Sequence, residues 1–200
     1  MKLYWKGTIL LHLLVLSSVT YGQHYESKCG TWRCDVKTLT DKDGRLLLVK
    51  EVVPSSIDQL VNKRSPKVLH HNDYSDSKLP RYPDENQVVE ITAFVIKVKY
   101  EKDDHDLHLV LKSIASENSM VGEIPDPNCQ NFNEFPKLRE LFIKTRKQGN
   151  KIWDKLKETD RPVKVVKTGV PFWDSEHKNR PTGSSQYFRE IHPVISIVAL

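Results

Sequence analysis

Runs of apolar residues after residue 87 predict three neighbouring β-strands. Residues 88–100 are almost continuously apolar and rich in β-branched side chains, which is typical of a strand buried on both faces or strongly coiled. Residues 104–112 alternate between apolar and polar side chains, so that the leucines lie on one face. A turn follows, and residues 119–124 form a third strand that two prolines end. The short connections predict a three-stranded meander.

One long helix and two further strands complete the pattern. An apolar stripe at helical spacing runs through residues 133–156, with Asn133 as the predicted N-cap. Residues 162–168 and 190–198 are the last two apolar strands. Three strands, a helix and two closing strands are the order of an OB-type barrel, whereas a β-sandwich would have about seven short strands and no long helix. The sequence therefore predicts a mainly β fold, a five-stranded OB-like barrel with one main helix, over residues 88–200.

Residues 23–87 are predicted to form an irregular N-terminal extension and loop. Within this segment, residues 46–49 are apolar enough for a short buried strand, and residues 55–60 begin like a capped helical turn. Residues 62–83 consist mainly of Lys, Arg, His, Asp, Ser and Pro, a composition typical of a solvated surface loop.

Residues 1–22 have the pattern of a signal peptide. Lys2 and Lys6 precede an apolar stretch over residues 7–20, which is shorter than the ~20 residues of a bilayer-spanning helix. Small residues at the end of the segment suit cleavage before Gln23. No later apolar run is long enough to span a membrane. We therefore expect a secreted, extracellular protein without a membrane span.

The net charge bears on the kind of partner, and the cysteines bear on the redox compartment. The formal net charge is +5 at pH 7. A nucleic-acid partner is compatible with this excess but is not favoured, because a dedicated binder concentrates Lys and Arg on one face. The 3 cysteines are Cys29, Cys34 and Cys129. In an oxidising compartment we expect two of them to pair and one thiol to remain free.

The strand predicted over residues 104–112 carries the first candidate site. Side chains two residues apart in a strand project from the same face, so Asp104, Asp106 and His108 lie within a few ångströms of one another. Such a set could hold one cation or form a carboxylate–imidazole pair. The alternative is a polar strand edge that faces solvent.

A second group of polar and aromatic residues follows residue 171. Phe172 and Trp173 are predicted to lie in a long loop, where they could stack on bases or a sugar, or cap the mouth of the barrel. The polar members of this second candidate group are Asp174, His177, Glu190 and His192.

Several blocks of the chain resemble a family of exported bacterial proteins, most of them without an assigned activity. The blocks are CG at 29–30, VKTLTD at 36–41, DHDLHLVL at 104–111, MVGEIPDPNC at 120–129, TGV at 168–170, FWD at 172–174 and EIHPV at 190–194. The resemblance implies export and supports the predicted fold, but it implies no reaction. Because Cys29 and Cys129 both lie in matching blocks, it also implies that these two cysteines form the disulfide and that Cys34 is the free thiol.

The predicted barrel also resembles, more distantly, the micrococcal-nuclease-like domains. Asp104, Asp106 and Asp126 lie at positions similar to those of the Ca²⁺-binding aspartates in those domains. The resemblance therefore makes them candidate metal ligands. Residues 119–124 contain no arginine, although that family supplies one in the corresponding strand. Without a guanidinium, phosphodiester cleavage would lack an important source of transition-state stabilisation.

These features together favour a secreted OB-like binding or interaction module over an enzyme. We expect no cofactor and assign no catalytic residues, and the sequence does not identify the ligand. The alternatives are a metal-dependent, nuclease-like phosphodiesterase and an envelope-associated structural protein.

Overall fold

The computed structural model describes residues 29–30, 32–70, 73–176 and 183–200. The predicted signal peptide lies outside the described residues, as does His177. The six strands are β1 Val52–Ser55, β2 Val88–Tyr100, β3 Leu107–Ser113, β4 Ser119–Ile124, β5 Val163–Trp173 and β6 Arg189–Ala199. The five helices are α1 Cys34–Lys37, α2 Gly44–Leu47, α3 Ile57–Val61, α4 Tyr74–Ser77 and α5 Pro136–Thr159, with 3₁₀ turns at Pro83–Glu85 and Gln130–Phe132.

Five of the strands close into a barrel. The strand order is β1-β2-β3-β4-β6-β5, and β5 also pairs with β2, so the sheet from β2 to β6 has no open edge. The barrel pairs are antiparallel except for β4 with β6, while β1 runs parallel to the beginning of β2. A meander of three strands whose third strand is parallel to the fifth is the arrangement of an OB barrel. The predicted fold class is therefore confirmed.

The interior of the barrel is filled by the inward faces of its strands and by one side of α5. The three leucines of β3 are completely buried, and Phe142 and Ile152 of α5 pack into the same core. Gly149 allows the helix to approach closely, because a Cβ there would lie 2.6 Å from Cδ2 of Leu107. The N-cap of the helix is Phe135 instead of Asn133, since Asn133 ends the preceding 3₁₀ turn, and the helix begins at Pro136.

Leu109 is the clearest test of this packing, since it is 0% exposed at the centre of β3. We expect Leu109→Ala to lower the free energy of unfolding by ~3 kcal/mol, because it removes buried methyl groups and leaves a cavity. Urea denaturation monitored by tryptophan fluorescence measures this change. A loss below ~1 kcal/mol would mean that the leucine face of β3 points away from the core.

The extension before β2 is more regular than its sequence indicates. It contains β1 and four short helices, so the prediction of an irregular segment is wrong in part. Residues 46–49 end a helix instead of forming a buried strand, since Leu47 is 1% exposed while Val49 is 83% exposed. The capped turn is confirmed, because Ser56 and Gln59 form a capping box at the start of α3.

This extension packs against the barrel wall and shares its core. Leu39, Leu47, Ile57 and Leu60 are buried in the same apolar cluster as the strands β2 to β6. Cys29 and Cys129 form a disulfide, with Cα atoms 5.1 Å apart, and Cys34 is the free cysteine, as the family resemblance implied. Among the described residues, no helix is sufficiently long and apolar to cross a bilayer.

A lysine side chain lies in the apolar interior of the barrel. Lys167 of β5 is 1% exposed, and its Nζ has no hydrogen-bond partner. A Cβ at Gly122 would lie 2.8 Å from this Nζ, which places the amine against the inner face of β4. Burial lowers the pKa of Lys167 well below its ordinary value of 10.5, although the charge of Glu190 opposes the change.

Replacing this lysine should therefore stabilise the fold. We expect Lys167→Met to raise the free energy of unfolding by ~1–3 kcal/mol at pH 7, because it removes an unsatisfied buried amine while keeping the volume. Below pH 10.5 the unfolded chain binds a proton that the folded chain rejects, so wild-type stability falls as the pH decreases towards the lowered pKa. The gain should thus be larger at pH 7 than at pH 10. Urea denaturation at both pH values measures it, and a loss of stability would contradict the interpretation.

Candidate functional site

A group of ionisable side chains lies on the outer face of β3, β4 and β6. Inward-facing leucines alternate with His108 on β3, and the same alternation directs Glu123 of β4 and both Glu190 and His192 of β6 outward. Lys37 of the N-terminal extension lies against this face, together with Asp174 and Ser184, which lie between β5 and β6. The polar side chains are consequently enclosed between the barrel wall and the segments packed on it.

Glu123 is the centre of the group. Its partner directly across the β3–β4 ladder is His108, and Nδ1 of His108 lies 2.8 Å from Oε1 of Glu123. The other carboxylate oxygen, Oε2, lies 2.9 Å from Nδ1 of His192. One carboxylate thus joins two imidazoles, both of which are buried.

Further carboxylates flank each imidazole. Oε1 of Glu101 lies 2.9 Å from Nδ1 of His108. Around His192, Oε1 of Glu190 lies 3.2 Å from Nδ1, and Oδ2 of Asp106 lies 3.1 Å from Nε2. The contact between Nε2 of His192 and Asp106 is an ion pair that lacks the geometry of a hydrogen bond. This buried nitrogen therefore has no hydrogen-bond partner.

These contacts shift the pKa values of the two imidazoles and of Glu123 in opposite directions. Burial lowers the pKa of His108, but its bonds to Glu101 and Glu123 outweigh burial and raise that pKa to about 9. Burial and Lys37 also lower the pKa of His192, and the three surrounding carboxylates nevertheless raise it well above its usual value. For Glu123, burial raises the pKa, and the two imidazoles hold it well below the ordinary range.

A cavity of about 230 Å³ opens beside this group. Its lining contains six carboxylates and two lysines, together with His108, Val121 and Ser184; the carboxylates are Glu101, Asp103, Asp104, Glu123, Asp174 and Glu190, and the lysines are Lys37 and Lys99. Burial and the neighbouring acids raise the pKa of Asp104 to about 6 and that of Glu190 to about 7. Paired groups with divergent pKa values are characteristic of functional sites.

Lys37 is a partly buried cation of the cavity, with a side chain that is 13% exposed. Its Nζ lies 3.8 Å from Oδ1 of Asp174 and 5.4 Å from the centre of the Phe172 ring. Burial lowers the pKa of Lys37, but the surrounding carboxylates, with Asp174 foremost, raise it above its usual value. This lysine comes from α1, and so the extension contributes directly to the site.

The structure brings together most of the side chains singled out in the sequence. Asp106, His108, Glu190 and His192 meet around Glu123, while Asp104 and Asp174 line the cavity. The interpretation of β3 as a solvent-facing polar edge is wrong, since Asp106 is 5% and His108 2% exposed. These side chains are buried because the extension folds over them.

The three aspartates proposed as metal ligands have separate partners. Oδ1 of Asp104 accepts the backbone N–H of Asp106, and Oδ1 of Asp106 accepts the backbone N–H of Asp126, at 3.1 and 2.9 Å. The carboxylate of Asp126 lies 3.7 Å from Nη1 of Arg146 on α5 and does not line the cavity. As a set of metal ligands, this trio stays a prediction.

Phe172 and Trp173 are structural side chains in this fold. Both are completely buried at the end of β5 and pack with Trp32, Val36 and Leu69 under the extension. They therefore present no open surface on which a base or sugar could stack. Their predicted loop begins later, because β5 extends to Trp173 by pairing with β6.

The strand order and the outer polar face define the chain as an OB-like barrel, and comparison with known proteins adds little to this. No family model and no curated protein matches the chain. Asparaginyl-tRNA synthetase from Entamoeba histolytica is a similar solved structure, with a TM-score of 0.33 and 11% identity over 56% of this chain and 20% of the synthetase. The structure of the same enzyme in complex with asparaginyl-adenylate has a TM-score of 0.33 and 11% identity. This match covers 68% of this chain and 24% of the synthetase. The chain thus spans at most about a quarter of the synthetase's length.

Reasoning from the sequence missed several residues of the site, among them Glu101, Glu123 and Lys37. Glu123 could have been found, because alternation in the strand over 119–124 places it on the face opposite the core and beside His108. No sequence pattern indicates a role for Lys37, since only the folding of the extension over β6 brings this residue to the cavity.

Proposed function

We propose that the protein is an exported binding module whose ligand is a small cation held in the cavity on the outer face of β3, β4 and β6. The observation that supports this most strongly is the excess of carboxylates around one cavity, six against two lysines and the imidazole of His108. Buried carboxylates are unfavourable unless a cation or a proton neutralises them. The imidazoles of His108 and His192, whose pKa values are raised, offset part of this charge, and a cationic ligand would supply the remainder.

The position of the cavity also supports a binding role. In OB barrels, ligands commonly engage the face of the second and third strands together with the loops that follow the first and the fourth. Here those strands are β3 and β4, and the two loops carry Asp104 and Asp174, which line the cavity. This support is an analogy at the level of the fold.

Among the described residues that line the cavity there is no guanidinium, which disfavours the phosphodiesterase alternative. A phosphate backbone is bound mainly by lysine and arginine, whereas carboxylates dominate here. No arginine among the described residues lines the cavity, and Arg146 instead contacts Asp126 and the carbonyl oxygen of His105. Export remains part of the proposal, and a disulfide between Cys29 and Cys129 is consistent with an oxidising compartment.

Calorimetric titration of the folded protein tests the proposal. The probes are Mn²⁺, Zn²⁺, Ca²⁺, guanidinium and ethylenediammonium, each added as the chloride salt. We expect saturable binding of at least one probe to the wild type and at least a tenfold weaker affinity in Glu123→Gln. A matched control is Glu117→Gln, because Glu117 is an exposed acid whose side chain pairs only with Lys112 among the described contacts.

Two outcomes would contradict the proposed function. One is that no probe binds the wild type, and the other is that Glu123→Gln binds as tightly as Glu117→Gln. Thermal unfolding of each variant, followed by circular dichroism, establishes that the protein under test is folded.

A further inference from the structure

We infer that the cation in this cavity is a pair of divalent transition-metal ions that share Glu123 as a bridging ligand. The inference rests on the proposed cation-binding function and specifies its ligand. Two sets of donor atoms carry it, each consisting of one imidazole, one further carboxylate and Glu123. The first set is Glu101, His108 and Glu123, and the second is Asp106, Glu123 and His192.

Distances within the first set fit a metal centre. Nδ1 of His108 lies 2.8 Å from Oε1 of Glu123 and 2.9 Å from Oε1 of Glu101. An ion with bonds of about 2.0–2.2 Å to nitrogen and oxygen places adjacent donors roughly 3 Å apart. The donors of Glu101, His108 and Glu123 all lie within 4.8 Å of one another, so one ion could be bound with small side-chain adjustments.

The second set contains the buried nitrogen that has no hydrogen-bond partner. Nε2 of His192 lies 3.1 Å from Oδ2 of Asp106 without an aligned hydrogen bond, although the side chain is 0% exposed. The other ring nitrogen, Nδ1, lies 2.9 Å from Oε2 of Glu123 and 3.2 Å from Oε1 of Glu190. An imidazole that binds a metal through one nitrogen usually donates its other N–H to a carboxylate. Glu190 is suited to this orienting role, which leaves Nε2 for the ion.

Glu123 connects the two sets because its two oxygens face different imidazoles. Oε1 lies 2.8 Å from Nδ1 of His108, and Oε2 lies 2.9 Å from Nδ1 of His192. Because donor atoms of Asp106, Glu123 and His192 lie within 4.8 Å of one another, a side-chain adjustment would bring Oε2 to an ion on Nε2. A carboxylate whose two oxygens serve separate centres is the bridging arrangement of two-metal sites, where the ions lie about 3.5–4 Å apart.

The donor chemistry selects the kind of ion. Mixed imidazole and carboxylate donors suit Zn²⁺, Mn²⁺, Fe²⁺ and Co²⁺, whereas Ca²⁺ and Mg²⁺ prefer oxygen donors alone. Cys34 lies elsewhere, beside the Cys29–Cys129 disulfide, so no thiolate takes part. We therefore expect Zn²⁺ and Mn²⁺ to bind more tightly than Ca²⁺.

Equilibrium dialysis against Zn²⁺ or Mn²⁺, followed by elemental analysis, tests the inference. The full mature protein should retain two ions per chain. His108→Ala and His192→Ala should each retain one, Glu123→Ala should retain none at the same free concentration, and the control Glu117→Gln should retain two. Electron paramagnetic resonance of the Mn²⁺-loaded wild type should show the spectrum of a spin-coupled pair, a readout that requires no variant to fold.

The outcomes separate this inference from the proposed function. One ion per chain, or two uncoupled Mn²⁺ ions, would overturn the metal pair. Binding of guanidinium, ethylenediammonium or Ca²⁺ that depends on Glu123, without retention of Zn²⁺ or Mn²⁺, would overturn the metal pair and leave the proposed function standing. Absence of binding by every probe would overturn both.

Discussion

Removing the disulfide by the double substitution Cys29→Ala/Cys129→Ala is expected to lower the free energy of unfolding by roughly 4–5 kcal/mol. The two cysteines are 100 residues apart in sequence, so the bond restricts most of the unfolded chain. The chain-entropy model assigns its largest stabilisation to long loops of this kind. Urea denaturation of wild type and variant under non-reducing conditions measures the difference.

Cys34→Ala is the matched control for this experiment. Its sulfur lies within 4.8 Å of both disulfide sulfurs but is not bonded to either. Burial is the main factor that raises the pKa of the Cys34 thiol to about 12, so the nucleophilic thiolate is scarce at neutral pH. Removing Cys34 should therefore change stability by less than ~1 kcal/mol. A non-reducing peptide map with Cys34 in the bridge, or an equal loss in both variants, would refute the assignment.

Glu85→Ala is expected to have the second large effect, a loss of ~3–5 kcal/mol in the free energy of unfolding, because it leaves a buried arginine without its partner. Arg33 and Glu85 form a bidentate ion pair with distances of 3.0 and 2.5 Å, and both side chains are 0% exposed. Glu85 also accepts the backbone N–H groups of Tyr82 and Trp173. This carboxylate thus fastens the extension to the end of β5.

A control variant and a second variant of Glu85 distinguish loss of the ion pair from a general effect of substitution in the extension. Glu51→Ala removes an exposed glutamate from the same extension and should change stability by less than ~0.5 kcal/mol. Glu85→Gln retains the volume and should lose less than Glu85→Ala. Chemical denaturation measures all three, and a Glu85→Ala loss no larger than that of Glu51→Ala would show that the ion pair does not hold the extension.

The barrel could be predicted from sequence because its signals are local. The bounds predicted for β2 and β4 agree with the structure, since each strand is a continuous apolar run ended by polar or proline residues. The start of β3 was placed three residues early, because Asp104 and Asp106 form a turn in which His105 has a positive φ of 60°. A polar alternating sequence does not distinguish such a turn from a strand.

The extension and part of the site could not be predicted because tertiary contacts determine them. The helices α1 and α2 have four residues each, too few to be stable alone, and they persist through buried residues such as Val36 and Leu47. Asp106 and His108 were recognisable from their spacing. Their burial was not, because it depends on distant segments, including the one that carries Lys37.

Divalent transition-metal ions are expected to bind on the outer face of β3, β4 and β6, and anomalous diffraction tests this binding most directly. Crystals of the protein grown with Mn²⁺ and measured at the manganese absorption edge would locate the ions independently of any variant. The account predicts anomalous density beside the carboxylate of Glu123, between the rings of His108 and His192. A structure with that cavity free of anomalous density at saturating Mn²⁺, or with manganese bound only elsewhere on the surface, would contradict it.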